Sequence, residues 1–263
     1  MRRLVLIEAN SVDLKRGTKN ILKNINWKIE SGDRWILFGT NGSGKTTLLS
    51  ILAGYYSPTN GEISIFDESP NEENILDLRK KIGWASASFF DRYFSSESIL
   101  DIVLAGKTGS LCCDYNEISD SEIRTAKALL TKLGLKEKMR YTYDMLSHGQ
   151  RQKVLVARAF MADAKLLILD EPCNGMDILS REFLLKDLQT LLEEKNMALI
   201  YVTHHTDEIL PFFNKALLLK NGEEYKQGAI KEVFTESNLK DFFEVPVNVS
   251  WSDNNLTIHM SDI

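Results

Sequence analysis

Only three of the 263 residues are cysteine, and two of these, Cys112 and Cys113, are adjacent. That is no disulfide framework, so a reducing cytoplasm is the expected compartment and all three are expected to be buried thiols. No apolar run reaches membrane-spanning length. Met1-Arg2-Arg3 followed by Leu4-Val5-Leu6-Ile7 starts like a signal peptide, but Glu8 cuts the run far too early. Excess positive charge is also missing. The formal net charge of −5 counts against a nucleic-acid binder held by bulk electrostatics, and no direct nucleic-acid partner is expected. Internal repeats and low-complexity segments are absent. What remains is the composition of an ordinary globular protein, 43% hydrophobic and 26% charged, in a chain long enough for one large domain or two small ones.

Against that plain background one stretch stands out. Gly39-Thr40-Asn41-Gly42-Ser43-Gly44-Lys45-Thr46 fits the phosphate-loop pattern G-x-x-x-x-G-K-[ST] at every fixed position. Trp35-Ile36-Leu37-Phe38 before it is a short apolar run of strand type, and Thr47 to Ala53 after it is a helix-forming run that stops at Gly54. Strand, glycine loop and helix together make a site of a pattern. The glycines let backbone N–H groups converge on phosphate oxygens, and a helix starting at about Lys45 adds its positive dipole end. Lys45 can reach the β- and γ-phosphates, and the Thr46 hydroxyl can hold magnesium. The loop is expected to bind a nucleoside triphosphate.

Residues 4 to about 30 alternate as strands, with turn signals at Arg16-Gly17 and Ser31-Gly32-Asp33; Glu62 to Phe66 and Ile82 to Ala85 continue the pattern. From about 96 to 162 helical spacing takes over: Ile99, Ile102 and Val103, then Ile123, Ala126, Leu129, Leu130 and Leu133 before Gly134, then Gln150 to Met161. Buried strands follow at Lys165 to Leu169, Ala198 to Thr203 and Ala216 to Leu219, with a helix at Phe183 to Glu194 between the first two. Strands apolar on both faces and alternating with helices predict an α/β fold with a mainly parallel sheet. An antiparallel β subdomain precedes it and a helical subdomain is inserted in it. The main domain, which holds the phosphate loop, is expected over 1–235 and an appendage, a helix plus a β-hairpin around Ser252 to Asn255, over 236–263.

A second element, Leu166-Leu167-Ile168-Leu169-Asp170-Glu171, puts two carboxylates at the carboxyl end of a buried strand, where open α/β sheets place ligand groups. Asp170 suits magnesium through its water shell, and Glu171 suits polarisation of an attacking water. The third element is Leu146-Ser147-His148-Gly149-Gln150, directly before a helix. Here the chain resembles the ABC ATPase family, whose signature reads L-S-G-G-Q, over about Leu4 to Phe234.

The resemblance implies an ATP-hydrolysing, magnesium-dependent subunit of an ABC transporter, cytoplasmic and peripheral at the inner face of the cell membrane. It implies a head-to-tail dimer, of two copies or of paired ABC ATPase subunits, coupled to a separate membrane permease. Ser147, Gly149 and Gln150 would then serve the nucleotide held by the partner's loop, with Asp177 of Asn174-Gly175-Met176-Asp177 as the family's D-loop aspartate. Residues 39 to 47, Thr47 included, would surround the phosphates of their own nucleotide. His204, after the strand from Ala198, matches the switch histidine that orients the catalytic water.

Two positions depart from the pattern. The family's adenine-stacking aromatic is replaced by Arg16, whose guanidinium plane can also stack on a purine. The magnesium-ligating glutamine expected after Ile82-Gly83-Trp84 is absent, and the stretch reads Ala85-Ser86-Ala87-Ser88-Phe89-Phe90. Ser86 or Ser88 could substitute through a water. This absence keeps open a rival reading, an ABC ATPase without a permease acting as a regulatory or interaction switch. Gly32-Asp33-Arg34-Trp35, Ile82-Gly83-Trp84, Asp170-Glu171-Pro172-Cys173 and Thr203-His204-His205 also resemble the molybdenum-transport-type branch of bacterial ABC ATPases. The tryptophans at 27, 35 and 84 are expected in the core.

Overall fold

The computed structural model describes residues 3–195, 197–252 and 255–260. Its first strands, β1 (Val5–Arg16) and β2 (Lys19–Glu30), pair antiparallel across Gly17, whose φ of +59° provides the left-handed turn residue. β3 (Arg34–Gly39) leads through the glycine loop into α1 (Lys45–Leu52), and β4 (Asn60–Ile65) returns to the free edge of β1. A short α2 (Ile75–Lys80) precedes β5 (Ile82–Ser86) and α3 (Ala87–Phe90). Three longer helices follow: α4 (Ile99–Thr108), α5 (Asp120–Lys132) and α6 (His148–Met161). These make up the predicted helical insertion between β5 and β6 (Leu166–Asp170).

The chain continues through α7 (Ile178–Lys195), β7 (Ala198–Val202), β8 (Lys215–Lys220) and β9 (Glu223–Ala229). It ends in α8 (Ile230–Val233), α9 (Glu236–Phe243) and the antiparallel pair β10 (Val247–Ser252) and β11 (Asn255–Met260). The residues 253–254 at the tip of that pair lie outside the described residues. The main sheet has the order β5-β6-β7-β3-β8-β9, parallel except for β9 at the edge, and a separate antiparallel sheet has the order β2-β1-β4. Both sheets match the expected α/β architecture.

Every residue of β5, β6 and β7 is buried, which explains their unbroken apolar sequences. Trp27, Trp35 and Trp84 are 1%, 3% and 1% exposed, so the core reading of the tryptophans holds. The start of β3 is held by Asp33, which is 0% exposed. Its carboxylate accepts from Arg3 Nη1 (3.1 Å), Lys215 Nζ (2.9 Å), Trp35 Nε1 (3.3 Å) and the Glu30 amide (2.9 Å). Breaking a paired charge at such depth costs roughly 3–5 kcal/mol, so the strand that aims the glycine loop is firmly tethered.

The register then assembles the site. Ser86 on β5 stands beside Asp170 on β6, Asp170 beside Val202 on β7, and Val202 beside Leu37 on β3. Four strands therefore deliver their carboxyl ends to one edge of the sheet.

Some sequence expectations need correction. Cys112 is exposed and Cys113 half-buried, because both sit in the loop beyond Gly109 rather than on the apolar face of an element; Cys173 alone is buried. α7 starts at Ile178, five residues before the expected Phe183, because Ile178, Leu179 and Phe183 are 73%, 69% and 66% exposed and leave no core-facing stripe to read. α6 likewise starts at His148 rather than Gln150. β9 carries the polar run Glu223-Glu224-Tyr225-Lys226, which has no strand signature and is ordered by pairing with β8.

Candidate active site

The glycine loop follows β3 and its last glycine, Gly44, is the N-cap of α1 with φ +102°. A Cβ there would lie 2.9 Å from Leu22 Cδ2 and 3.1 Å from Ile21 O, so both conformation and space demand glycine. Lys45, 7% exposed, turns back over the loop and donates to Gly39 O at 2.8 Å and Thr40 O at 3.1 Å. Burial holds its ammonium below the usual lysine range, opposed by the charges of Asp170 and Glu171. The loop opens on a cavity of about 520 Å³ lined by Asn41, Gly42, Lys45, Thr46, Asp170 and Glu171 among others.

At the wall of that cavity Thr46 Oγ1 donates to Asp170 Oδ2 at 2.9 Å. Asp170 is almost fully buried, and desolvation raises its pKa despite hydrogen bonds from Ser86 and Thr46. The donors here are hard oxygens, a hydroxyl and a carboxylate, which suit magnesium. Among the described residues no cluster of three or more His, Cys, Asp or Glu offers a self-sufficient metal cage. A cation at Thr46 and Asp170 would complete its shell with phosphate oxygens and water, as magnesium characteristically does.

Glu171 follows Asp170 with φ +50°, a strained angle for a side-chain-bearing residue that turns its carboxylate out of the strand direction. The turn is held by its own amide donating to Val202 O at 3.0 Å and by Gln152 Nε2 donating to its carbonyl at 3.1 Å. His204 Nε2 donates to Glu171 Oε1 at 2.8 Å. That hydrogen bond is the main reason the Glu171 carboxyl lies below the ordinary value of 4.5, helped by the histidine's and Lys45's charges and opposed by partial burial. Glu171 is thus a carboxylate at neutral pH, hydrogen-bonded by a histidine just beyond the end of the neighbouring strand.

A pH dependence follows. A carboxyl depressed by His204 stays ionised until the pH falls below 4.5. Removing His204 removes the largest lowering cause, so the acid limb of single-turnover hydrolysis in His204→Ala is expected to move up towards 4.5. An unmoved limb would show that the histidine does not set the state of Glu171.

Ser147 caps α6 in a reciprocal arrangement: the Gln150 amide donates to Ser147 Oγ at 3.4 Å, and the Ser147 amide donates to Gln150 Oε1 at 3.1 Å. Gly149 packs on the D-loop so closely that a Cβ would lie 2.1 Å from Gly175 O. Asp177 accepts from the Ser180 amide (2.9 Å) and hydroxyl (2.6 Å) at the head of α7, and these bonds lower its pKa. The segments at Gly149 and Gly175 are therefore packed directly against each other.

The structure brings Lys45, Thr46, Thr47, Asp170 and Glu171 to one cavity, with His204 bonded to the last. Ser147, Gly149, Gln150 and Asp177 do not line it, and neither does Arg16, whose guanidinium sits 5.2 Å from the centre of the Tyr56 ring. Gln152 and Asn174 do line it and escaped the sequence reading. Gln152 lies two residues past the signature on a helix, with no local string to mark it. Its Oε1 is buried without a hydrogen-bond partner among the described residues.

A glycine loop at a helix N-terminus, a buried strand-end aspartate bonded to the loop threonine, and a glutamate–histidine pair beside them define a phosphate-loop NTPase. Residues 22–174 match the family model described as ABC transporter, and the chain belongs to that family. It is 42% identical over 250 residues to YlmA of Bacillus subtilis (strain 168), an uncharacterised ABC transporter ATP-binding protein, covering 94% of each chain. MolC of Haemophilus influenzae, a molybdate import ATP-binding protein, is 30% identical over 230 residues, 86% of this chain and 83% of MolC. The dimeric cassette MJ0796, solved in a post-hydrolysis state bound to ADP and Pi, superposes with a TM-score of 0.74 at 25% identity, covering 86% of this chain and 99% of that one. The chain is an ABC-type ATPase, the ATP-binding subunit of a transporter. The rival switch without a permease finds no support among these relatives.

Proposed function

We propose that two copies of this chain, or this chain and a paired ABC ATPase subunit, close head to tail on two Mg-ATP and drive a separate membrane permease through α4–α6. The observation that carries this reading is the 2.8 Å bond between His204 and Glu171 at the cavity that also holds Lys45, Thr46 and Asp170. Magnesium, when bound, would neutralise phosphate charge. Lys45 draws charge from the transferring phosphate, while Thr46 and Asp170 hold the ion. Glu171 polarises the attacking water and His204 keeps the carboxylate aimed and ionised. Gly39 to Thr47 cradle the phosphates, and Arg16 is assigned to the adenine.

The dimer reading is supported by what the cavity lacks: Ser147, Gly149, Gln150 and Asp177 do not line it, although His148 and Asn174 beside them do. The appendage from 236 onward stands outside the ATPase domain in this reading. Among the described residues no helix is long and apolar enough to cross a membrane, which agrees with a peripheral subunit at the inner, cytoplasmic face. Purification of the tagged protein from its host in mild detergent tests the transport reading. A stoichiometric multi-span partner is expected; its repeated absence, with a soluble partner in its place, would overturn it.

A further inference from the structure

Ser86, which ends β5, and Ser88, two residues on, are expected from the sequence at most to act through a water. Their geometry is more specific. Three hydroxyls converge on one carboxylate oxygen, Asp170 Oδ2: Ser86 Oγ at 2.7 Å, Thr46 Oγ1 at 2.9 Å and Ser88 Oγ at 3.3 Å. The hydroxyls also touch one another, Ser86 to Ser88 at 3.0 Å and Thr46 to Ser88 at 3.2 Å. A carboxylate oxygen accepts two or three hydrogen bonds, and two are already supplied by Ser86 and Thr46 at shorter range. Ser88 is therefore the least committed of the three.

Burial separates the serines further. Ser86 is 0% exposed and does not line the cavity, so it can only orient Asp170. Ser88 is exposed and lines the cavity beside Thr46. Octahedral magnesium with ligands at 2.0–2.1 Å places neighbouring ligand oxygens about 2.9 Å apart, close to the observed Thr46–Ser88 and Thr46–Asp170 spacings.

The serine is also held in place. α3 is pinned by Phe89 and Phe90, 1% and 0% exposed, with the Trp84 ring centre 4.4 Å from that of Phe89 at a 40° tilt, and by Tyr143, whose hydroxyl donates to Asp91 at 2.7 Å.

We propose that Ser88 is a direct ligand of the nucleotide-bound magnesium, sharing the ion with Thr46, while Ser86 positions Asp170. This rests on the magnesium reading of Thr46 and Asp170, so the test separates the two. Mn2+ serves as the probe, titrated by electron paramagnetic resonance into protein saturated with ATP on the Glu171→Gln background, with ATP affinity measured separately in EDTA. Ser88→Ala is expected to weaken Mn2+ binding about tenfold, to alter the Mn2+ spectrum and to leave metal-free ATP binding unchanged; Ser88→Thr, which keeps the hydroxyl, restores both. If Ser88→Ala leaves Mn2+ affinity at the parental value while Asp170→Asn weakens it, the serine assignment is wrong and the magnesium reading stands. If Asp170→Asn and Thr46→Ala also leave it unchanged, the magnesium reading itself fails. Equal weakening of metal-free ATP binding by Ser88→Ala would overturn a ligand role as well.

Discussion

Glu171→Gln is expected to bind ATP like the parent and to hydrolyse it about 10²–10⁴-fold more slowly. The amide keeps the volume and can still accept the hydrogen bond from His204 Nε2, now 2.8 Å from Oε1, so geometry is retained and only the charge is lost. The fold tolerates the change because the residue's unusual φ of +50° is held through its backbone, by Val202 O and by Gln152, and not through its carboxylate. With hydrolysis blocked, ATP should accumulate the protein as a dimer that gel filtration resolves from the nucleotide-free form. A variant that turns over at the parental rate would remove Glu171 from the chemistry and leave the histidine–glutamate pair a structural contact.

Gly149→Ala should act from the opposite direction. The added Cβ meets the backbone carbonyl of Gly175 at 2.1 Å, with no flexible side chain to give way, so the two segments must move apart. Neither segment lines the chain's own phosphate cavity apart from His148 and Asn174, so ATP binding to the isolated subunit is expected to survive. Hydrolysis is expected to fall about 10²-fold, the scale of a one-ångström misplacement of an aligning group. Mixing decides where the signature works. Lys45→Ala and Gly149→Ala proteins are each impaired at both sites as homodimers under the head-to-tail reading. A mixed dimer contains one site with both defects and one with neither, so combining the two restores activity. If mixing restores nothing, each chain serves its own nucleotide and the sandwich is wrong.

Much of this site was readable from local strings, for a physical reason. A phosphate loop such as Gly39 to Thr46 is expected to act through backbone amides, and its glycines, Lys45 and Thr46 lie within eight residues, so sequence spacing is nearly spatial spacing. The same holds for Ser147, whose cap partner Gln150 is three residues away on the same helical turn. An unbroken apolar run ending in Asp170 and Glu171 dictates a buried strand whose end meets solvent. The weak places were segments ordered by their neighbours: β9, whose first half is polar, and the first turn of α7, whose apolar side chains face outward.

The class of protein, its nucleotide loop and the identities of its carboxylates were thus set by the amino-acid sequence, since each depends on residues a few positions apart. The sheet register decided the rest. It brings Ser86, Asp170 and Val202 into one row across strands separated by helices, which lets His204 reach Glu171 and Ser88 reach Thr46, 42 residues away in the chain. No local pattern encodes such pairings, because strand order and register emerge only when the buried faces of all the strands are satisfied together. Whether a serine can stand in for a missing glutamine is a question of three-dimensional spacing, which no local string carries.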